Sequence, residues 1–283
     1  MPSLKNCLRI SYLQWHKTLR RAYLGLLAIL IPLLAYRYMR PVAEFIQTTG
    51  IRATPVGLAF FLSDYGLSLI FCLGLILLLS QAPFFDGQIT YVLLRCDNKS
   101  WYAGTALYCL ELSLLYVIYW CVCLMLPLTG SIDWSLNWGK IWNTLCQTSA
   151  SYDYGLIVKT PYVLMAYSGA QALFLSVGLK ILFCWVIAMF ILVGNMPRRF
   201  PYGTALSILL MLQDYFAMNG HGFAYYWFSP ATMSRLSMLD HTNTFLQPCP
   251  SEAALTLSIL AFLLLILGGI VSSKVDLSRP TNL

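Results

Sequence analysis

The chain has 283 residues, of which 59% are hydrophobic and only 10% charged, and its mean hydropathy is +0.69. A soluble protein carries ~25% charged residues, so this composition excludes an ordinary soluble enzyme and makes the bilayer the solvent for much of the surface. The formal charge of +7 reads as topological bias and attraction to anionic lipid on the inner face, not as a nucleic-acid interface.

In chain order, Leu4, Leu8, Tyr12, Trp15 and Leu19 recur at helical spacing, with Lys5, Arg9, His16, Lys17 and Arg20 beside them. This predicts an amphipathic helix over 1–21 in the inner interface, with its rings at headgroup depth and its cations on lipid phosphates. The plainer alternative is a basic flank that orients the first span. About 20 apolar residues cross ~30 Å of hydrocarbon, and six stretches of this kind follow, at 22–36, 56–79, 104–126, 172–193, 204–218 and 253–271. The expected fold is an all-α integral membrane protein of six transmembrane helices, one domain over 1–283. The first and fifth cores are short and should extend into flanking mixed residues. The first span reads as retained, because Arg37 and Arg40 stand where small cleavage-site residues would be.

Basic residues set the expected orientation. With the N-terminus inside, Lys5, Arg9, Lys17, Arg20, Arg21, Arg95, Lys99, Arg198, Arg199, Lys274 and Arg279 are cytoplasmic, in short segments. Arg37, Arg40, Arg52, Lys140, Lys159 and Arg235 are spread over longer outer connections. Both termini are therefore expected in the cytoplasm, although Arg37 and Arg40 run against the trend.

The 81–103 connection, QAPFFDGQITYVLLRCDNKSW from Gln81 to Trp101, is the most telling one. Pro83 stops the second span, Asp86 can cap a short helix, and Phe85, Ile89, Val92 and Leu93 mark one apolar side of it. Asp97, Asn98 and Ser100 supply turn chemistry before Trp101 anchors the next span. A capped helix of about two turns between two spans has the form of a docking element; a surface loop partly buried against the bundle is the alternative. In the outer connection 127–171, Trp134, Trp138, Ile141, Trp142 and Leu145 form a stripe with Asp133 near its start. That suits a helix lying in the outer interface, with a substrate-stacking platform as the sharper alternative. The second outer connection, 219–252, is aromatic and broken by Gly220, Gly222 and Pro230. Tyr225, Tyr226, Trp227 and Phe228 are too apolar for a free loop.

Of the nine cysteines, Cys72, Cys109, Cys121, Cys123 and Cys184 lie in predicted spans and read as small hydrophobes. No CxxC pair occurs and His221 and His241 stand alone, so no metal site is expected. Cys146 and Cys249 both fall in outer connections and could pair. Four ionisable residues sit within spans: Asp64, Glu111, Lys180 and Asp214. A charge at the bilayer centre costs about 2.5 to 3.5 kcal/mol on insertion scales, so Lys180 is expected to pair with Asp214 or Asp64. Glu111, with no cation at its depth, is expected to line a polar route.

The order of a basic amphipathic N-terminus, two spans, a proline-led helix ending in Arg95, a polar turn to Trp101 and four more spans resembles an ABC-2-type permease of a bacterial ABC exporter. The resemblance covers nearly the whole chain and is carried by architecture. It implies a plasma-membrane protein that pairs with a second permease copy or a related permease and docks on separate ABC ATPase subunits. Residues 86–95 would be the principal coupling helix, with Phe85, Asp86, Ile89, Val92 and Arg95 at the contact, and MPRRFPY over 196–202 would add Arg198 and Arg199. The family also implies that 219–252 folds into short re-entrant helices that cap the pathway from outside.

No GxxxxGK[ST] loop occurs, so ATP and Mg would be held by the partner ATPase and no cofactor by this chain. The expected cargo is amphiphilic: a peptide, a lipid or a hydrophobic compound. The competing reading is a proton-coupled secondary transporter built on intramembrane carboxylates, against which stand the lack of an internal repeat and of matching broken helices. An intramembrane enzyme finds no HExxH and no GxSxG, and no catalytic residue is assigned.

Overall fold

A computed structural model of the chain describes residues 3–84, 91–92, 96–156, 161–197, 200–219, 224–241 and 247–274. Among the described residues there is no β-strand. The structure is helical, apart from connections and one isolated parallel bridge between Ala53 and Ile132.

The N-terminal helix α1 (Leu4–Leu19) is followed, after a break at extended Arg21, by α2 (Ala22–Thr49), which ends at Gly50 with φ 67°. Along α2, Leu27, Ile31, Ala35, Met39, Val42 and Ile46 are buried while Leu26, Ile29, Leu30 and Leu33 stay exposed. This is helical periodicity with an apolar residue on both sides, the pattern of a helix packed on protein along one stripe and bathed in hydrocarbon along the other.

The stretch expected to be one straight span over 56–79 is broken. A 3-10 turn (Pro55–Gly57) and α3 (Leu58–Leu62) end at Ser63, and α4 (Tyr65–Leu79) leaves at an angle of 81°. The cause is local: Asp64 has extended backbone (φ −70°, ψ 139°) and its carboxylate accepts the Leu67 N–H at 2.8 Å, so it is the N-cap of α4.

The long helix α5 (Asn98–Met125) then crosses the molecule, and short helices α6 (Gly139–Gln147), α7 (Ala150–Asp153) and α8 (Pro161–Ala166) follow. A capping box between Ser168 and Gln171 starts α9 (Gly169–Asn195). Beyond it come α10 (Tyr202–Met218), α11 (Ala224–Phe228), α12 (Pro230–Met233) and α13 (Pro250–Lys274).

Among the described residues, four helical stretches are long and apolar enough to cross a membrane: Ala22–Thr49, Asn98–Leu128, Gly169–Asn195 and Pro250–Lys274. The bent pair makes five if its halves count as one span. The remaining expected span, α10, has 17 residues, a rise of ~25 Å at 1.5 Å per residue against ~30 Å of hydrocarbon.

Within this bundle α9 is central: 61% of its most apolar window is buried, against 22% in α2 and in α13. Three tyrosines of α5 bind it to different neighbours. Tyr102 Oη donates to the Leu265 carbonyl, Tyr116 Oη to Phe71 and Tyr119 Oη to Ala28, each at 2.8 Å. Each carbonyl has a second lone pair available beyond its own helix, so the bonds add without unwinding the ladders. Such interhelical bonds are worth ~0.6 kcal/mol each.

Lys5, Arg9, Lys17, Arg20, Arg21, Lys99 and Lys274 gather at one end of the bundle, called here the basic end, where Asn98 Nδ2 also meets the Ser272 carbonyl at 3.4 Å. At the opposite end the two connections at 50–54 and 129–133 are stitched by backbone: the Ala53 N–H donates to Ser131 O at 3.0 Å and the Asp133 N–H to Ala53 O at 2.8 Å. On this seam sits α6, with Ile141, Trp142 and Leu145 buried. The Trp142 indole N–H donates to Thr54 O at 2.9 Å, and Trp138 lies 4.9 Å from Phe60 between ring centroids. The helix expected in this connection forms, and its buried stripe faces protein, because the extended 51–54 segment leaves a carbonyl for the indole. The stripe is not a stacking platform, since Trp142 is fully buried; of its tryptophans Trp134 is the exposed one, at 78%.

The connection after α10 also turns inward, and residues 229–236 are all buried. Cys146 and Cys249 stand as free thiols, so the pairing considered from sequence is not made.

Candidate functional site

Two polar clusters interrupt the apolar bundle. The first lies at the basic end, where α1 crosses α5. The helices touch at Gly104, where a Cβ would meet the Cys7 carbonyl and the Ile10 side chain, each at 2.7 Å. The polar stripe Cys7, Ser11, Gln14, Thr18 is turned inward onto α5. Thr18 Oγ1 lies 2.5 Å from Tyr108 Oη, and Gln14 Nε2 donates to Thr105 Oγ1 at 3.5 Å. Glu111 accepts from Ser11 Oγ at 2.7 Å and from the Trp15 indole at 2.8 Å. The residue expected to line a polar route is thus occupied as the tether of the N-terminal helix. Bonds to a charged acceptor are short and about twice as strong as neutral ones, which suits a latch between two separate helices.

Phe84, where the 81–103 connection begins, is held in the same nest. Its ring is buried, with the Arg21 guanidinium 4.6 Å above it and the Tyr108 ring at its edge, and its carbonyl accepts from Lys17 Nζ at 3.4 Å. Asn195 ties Ala82 and Ser80, two and four residues earlier in the chain than Phe84, to the start of α10. The root of the first connection is therefore fixed from both sides, by α1 on one and by α9 with α10 on the other.

Of the residues singled out in that connection, Phe85, Asp86, Ile89 and Arg95 lie outside the described residues, as do Arg198 and Arg199 in the second. Val92 is described, half-buried against the core.

The second cluster lies toward the opposite end and corrects the expected pairings. Asp214 takes its cation from the connection that follows it: Arg235 Nη2 donates to Asp214 Oδ1 at 2.6 Å, and Thr232 Oγ1 to the same oxygen at 2.8 Å. Both side chains are buried, at 1% and 2% exposure. A buried pair is costly to break because either partner alone is an uncompensated charge, about 3–5 kcal/mol. Lys180 has no carboxylate among the described residues at ion-pair distance. Its ammonium donates to Ser68 Oγ and to Ser234 Oγ, the latter at 3.1 Å, and lies 5.7 and 5.8 Å from the ring centroids of Phe71 and Phe183. Two hydroxyls and two ring faces replace the anion. Asp64, the other expected partner, is committed to capping α4.

Sequence reasoning missed Arg235 and Asn195. Arg235 stood in an outer connection, and only its isolation among Pro230, Ala231, Met233 and Leu236 hinted at burial. Asn195 falls two residues beyond the span expected at 172–193, and nothing in its immediate neighbours marks it as an anchor.

Two clefts open elsewhere on the described bundle. One of about 390 Å³ is lined by Arg37, Tyr38, Pro41, Ile70 and Leu156. The other, about 370 Å³ and almost wholly apolar, lies between α9, α10, α12 and α13, with Phe190, Leu210, Met233 and Leu260 in its walls. Near the far-end seam, His241 Nδ1 and Tyr167 Oη share a hydrogen bond of 2.9 Å. Burial lowers the imidazole below its ordinary value of 6.5, opposed by the Asp240 carboxylate. Among the described residues no group of three or more His, Cys, Asp or Glu side chains could hold a metal ion.

Comparison with protein-family models, with curated proteins and with solved structures finds no match to this chain.

Proposed function

We propose that this chain is the membrane-spanning permease subunit of an ATP-driven exporter of the ABC-2 type, working as a pair with a second permease and driven by separate ATPase subunits. The observation that carries this reading is the anchorage of the first connection's root. Ser80, Ala82 and Phe84 are gripped by α1, α9 and α10 together, so a push on the segment that follows is delivered to three helices. A loop whose only task is to join two spans has no need of such anchorage.

In this reading the basic end is cytoplasmic. ATP closes the ATPase pair, the 86–95 segment is carried with it, and the bundle exchanges its open side. The buried 229–236 segment serves as the re-entrant cap on the outer side, locked by Arg235 on Asp214. The amphiphilic cargo suits the apolar cleft between α9, α10 and α13, which is walled by Phe190, Leu210, Leu260 and Leu263. The proton-coupled alternative loses its two strongest carboxylates, because Glu111 is engaged by Ser11 and Trp15 and Asp214 by Arg235.

The test is affinity purification of the chain in mild detergent from its native cell, with ATP hydrolysis assayed. A stoichiometric P-loop ATPase is the expected companion, and its absence under several gentle conditions would sink the exporter reading. Replacing Phe85 and Ile89 together with Asp should then abolish transport and stimulated hydrolysis while the bundle stays folded.

A further inference from the structure

The two connections at the basic end start from one side chain. Asn195 is the last residue of α9 and is 9% exposed. Its Nδ2 donates to the carbonyls of Ala82 at 2.9 Å and Ser80 at 3.4 Å, and to Thr204 Oγ1 at 3.2 Å. Its Oδ1 accepts the N–H groups of Gly203 at 3.0 Å and Thr204 at 3.4 Å. Thr204 Oγ1 closes the ring by donating to Ser80 O at 3.4 Å.

Three pieces of chain, the end of α4, the end of α9 and the start of α10, therefore meet on one amide. The choice of side chain follows from what is bonded. Two carbonyls need a donor and two N–H groups need an acceptor, and a carboxamide offers both from one planar group. A carboxylate would serve the N–H groups and fail the carbonyls.

Beneath the amide the backbones of α9 and α10 are in contact. A Cβ on Gly194 would lie 2.4 Å from Gly203 Cα, and one on Gly203 would lie 2.5 Å from the Phe190 carbonyl. Those are backbone atoms and cannot swing aside, so a side chain at either glycine would force the two helices apart.

We infer that Asn195 is a positioning residue that joins the roots of the two connections, 80–84 and 200–204, into one mechanical unit. Displacement of either connection then moves α4, α9 and α10 together. The inference deepens the exporter reading and rests on it only for the identity of what pushes.

Hydrogen exchange on the full chain in lipid nanodiscs tests it. Asn195→Ala should speed exchange at least tenfold in both 79–84 and 200–206, with α6 and α13 unchanged. Asn195→Asp keeps the acceptor and loses the donors, so it should keep protection at 203–204 and release 79–84. A residue that merely filled space would not produce that asymmetry. If the alanine variant fails to fold, the aspartate variant and Thr204→Val, which removes one hydroxyl from the ring, still decide the matter. Unchanged exchange in either segment for Asn195→Ala, or an aspartate variant that releases both segments alike, would overturn the clamp.

The transport arm is separate. With the co-purified ATPase, Asn195→Ala should bind it with unchanged affinity and lose its stimulated hydrolysis at least tenfold; full stimulation would overturn the coupling role. Failure of the unaltered chain to bind any ATPase would remove the exporter reading and leave the exchange result to judge the clamp alone.

Discussion

Helices α1 and α6 are both amphipathic and both lie against the bundle, yet they turn opposite sides to it. On α1 the inward stripe is Cys7, Ser11, Gln14 and Thr18, and Leu4, Leu8, Tyr12 and Leu19 face out, at 52–74% exposure. On α6 the inward stripe is Ile141, Trp142 and Leu145, while Lys140, Thr144 and Gln147 face out. An outward row of leucines is stable only in an apolar medium and an outward row of polar groups only in water. Periodicity therefore identifies the helix and its two sides, whereas the medium decides which side turns inward. The outward leucines of α1, interleaved with exposed Lys5, Arg9 and His16, suit an apolar–aqueous boundary, and the outward polar side of α6 suits water.

The comparison can be broken most forcefully at α6. Trp142→Ala removes a fully buried indole and leaves the Thr54 carbonyl without its donor, an expected loss of about 3–5 kcal/mol. It should appear as a lower Tm of the purified protein, with α1 still in place. Glu111→Ala tests the other helix. The Ser11 hydroxyl and the Trp15 indole lose a common acceptor, at a cost of about 1–3 kcal/mol, and tryptic cleavage at Arg9 and Lys17 should rise as α1 lifts from α5.

The media are then distinguished by one charge on each outward face. Leu8→Asp should weaken the hold of α1 on the bilayer by about 1 kcal/mol at interfacial depth, read as lower oxygen accessibility of a spin label at Tyr12. Lys140→Asp should stay within about 0.5 kcal/mol.

The smallest expected effect is on pH. Burial depresses the folded-state pKa of His241, so the unfolded chain takes up a proton first on acidification. The contribution of the Tyr167–His241 contact is full above about 6.5 and is lost as pH falls through the lower folded value. Exchange in 161–167 should quicken on mild acidification while α1 is unmoved.

What could be read from sequence depended on range. The four long helices were legible because apolar runs are local, and so was α1, whose leucines repeat at helical spacing. The break within 56–79 had a visible cause in Asp64, an N-cap residue inside an apolar run, but hydropathy alone averages over it. The ion pairing was not legible: Lys180 looked closest to Asp214 by depth, and which cation reaches that carboxylate was settled by how 229–236 folds back into the bundle. The meeting of Ser80, Ala82, Asn195 and Thr204 spans more than a hundred residues of chain, and no periodicity encodes it. The face of α1 was half-legible, since the spacing of Ser11, Gln14 and Thr18 marks a second stripe whose partner, α5, only tertiary structure supplies.

The seam between Ala53 and residues 131–133 is made wholly of peptide groups, and this has a consequence for inheritance and for engineering alike. A contact written in main chain does not depend on which side chains flank it, so sequence there is free to drift while the shape persists. Gly130 is the exception, since its φ of 90° favours glycine, but it stands in open space, so an epitope or a fluorophore can be inserted next to it with the glycine kept. A label at that site would report on the far surface without disturbing the helices beneath it.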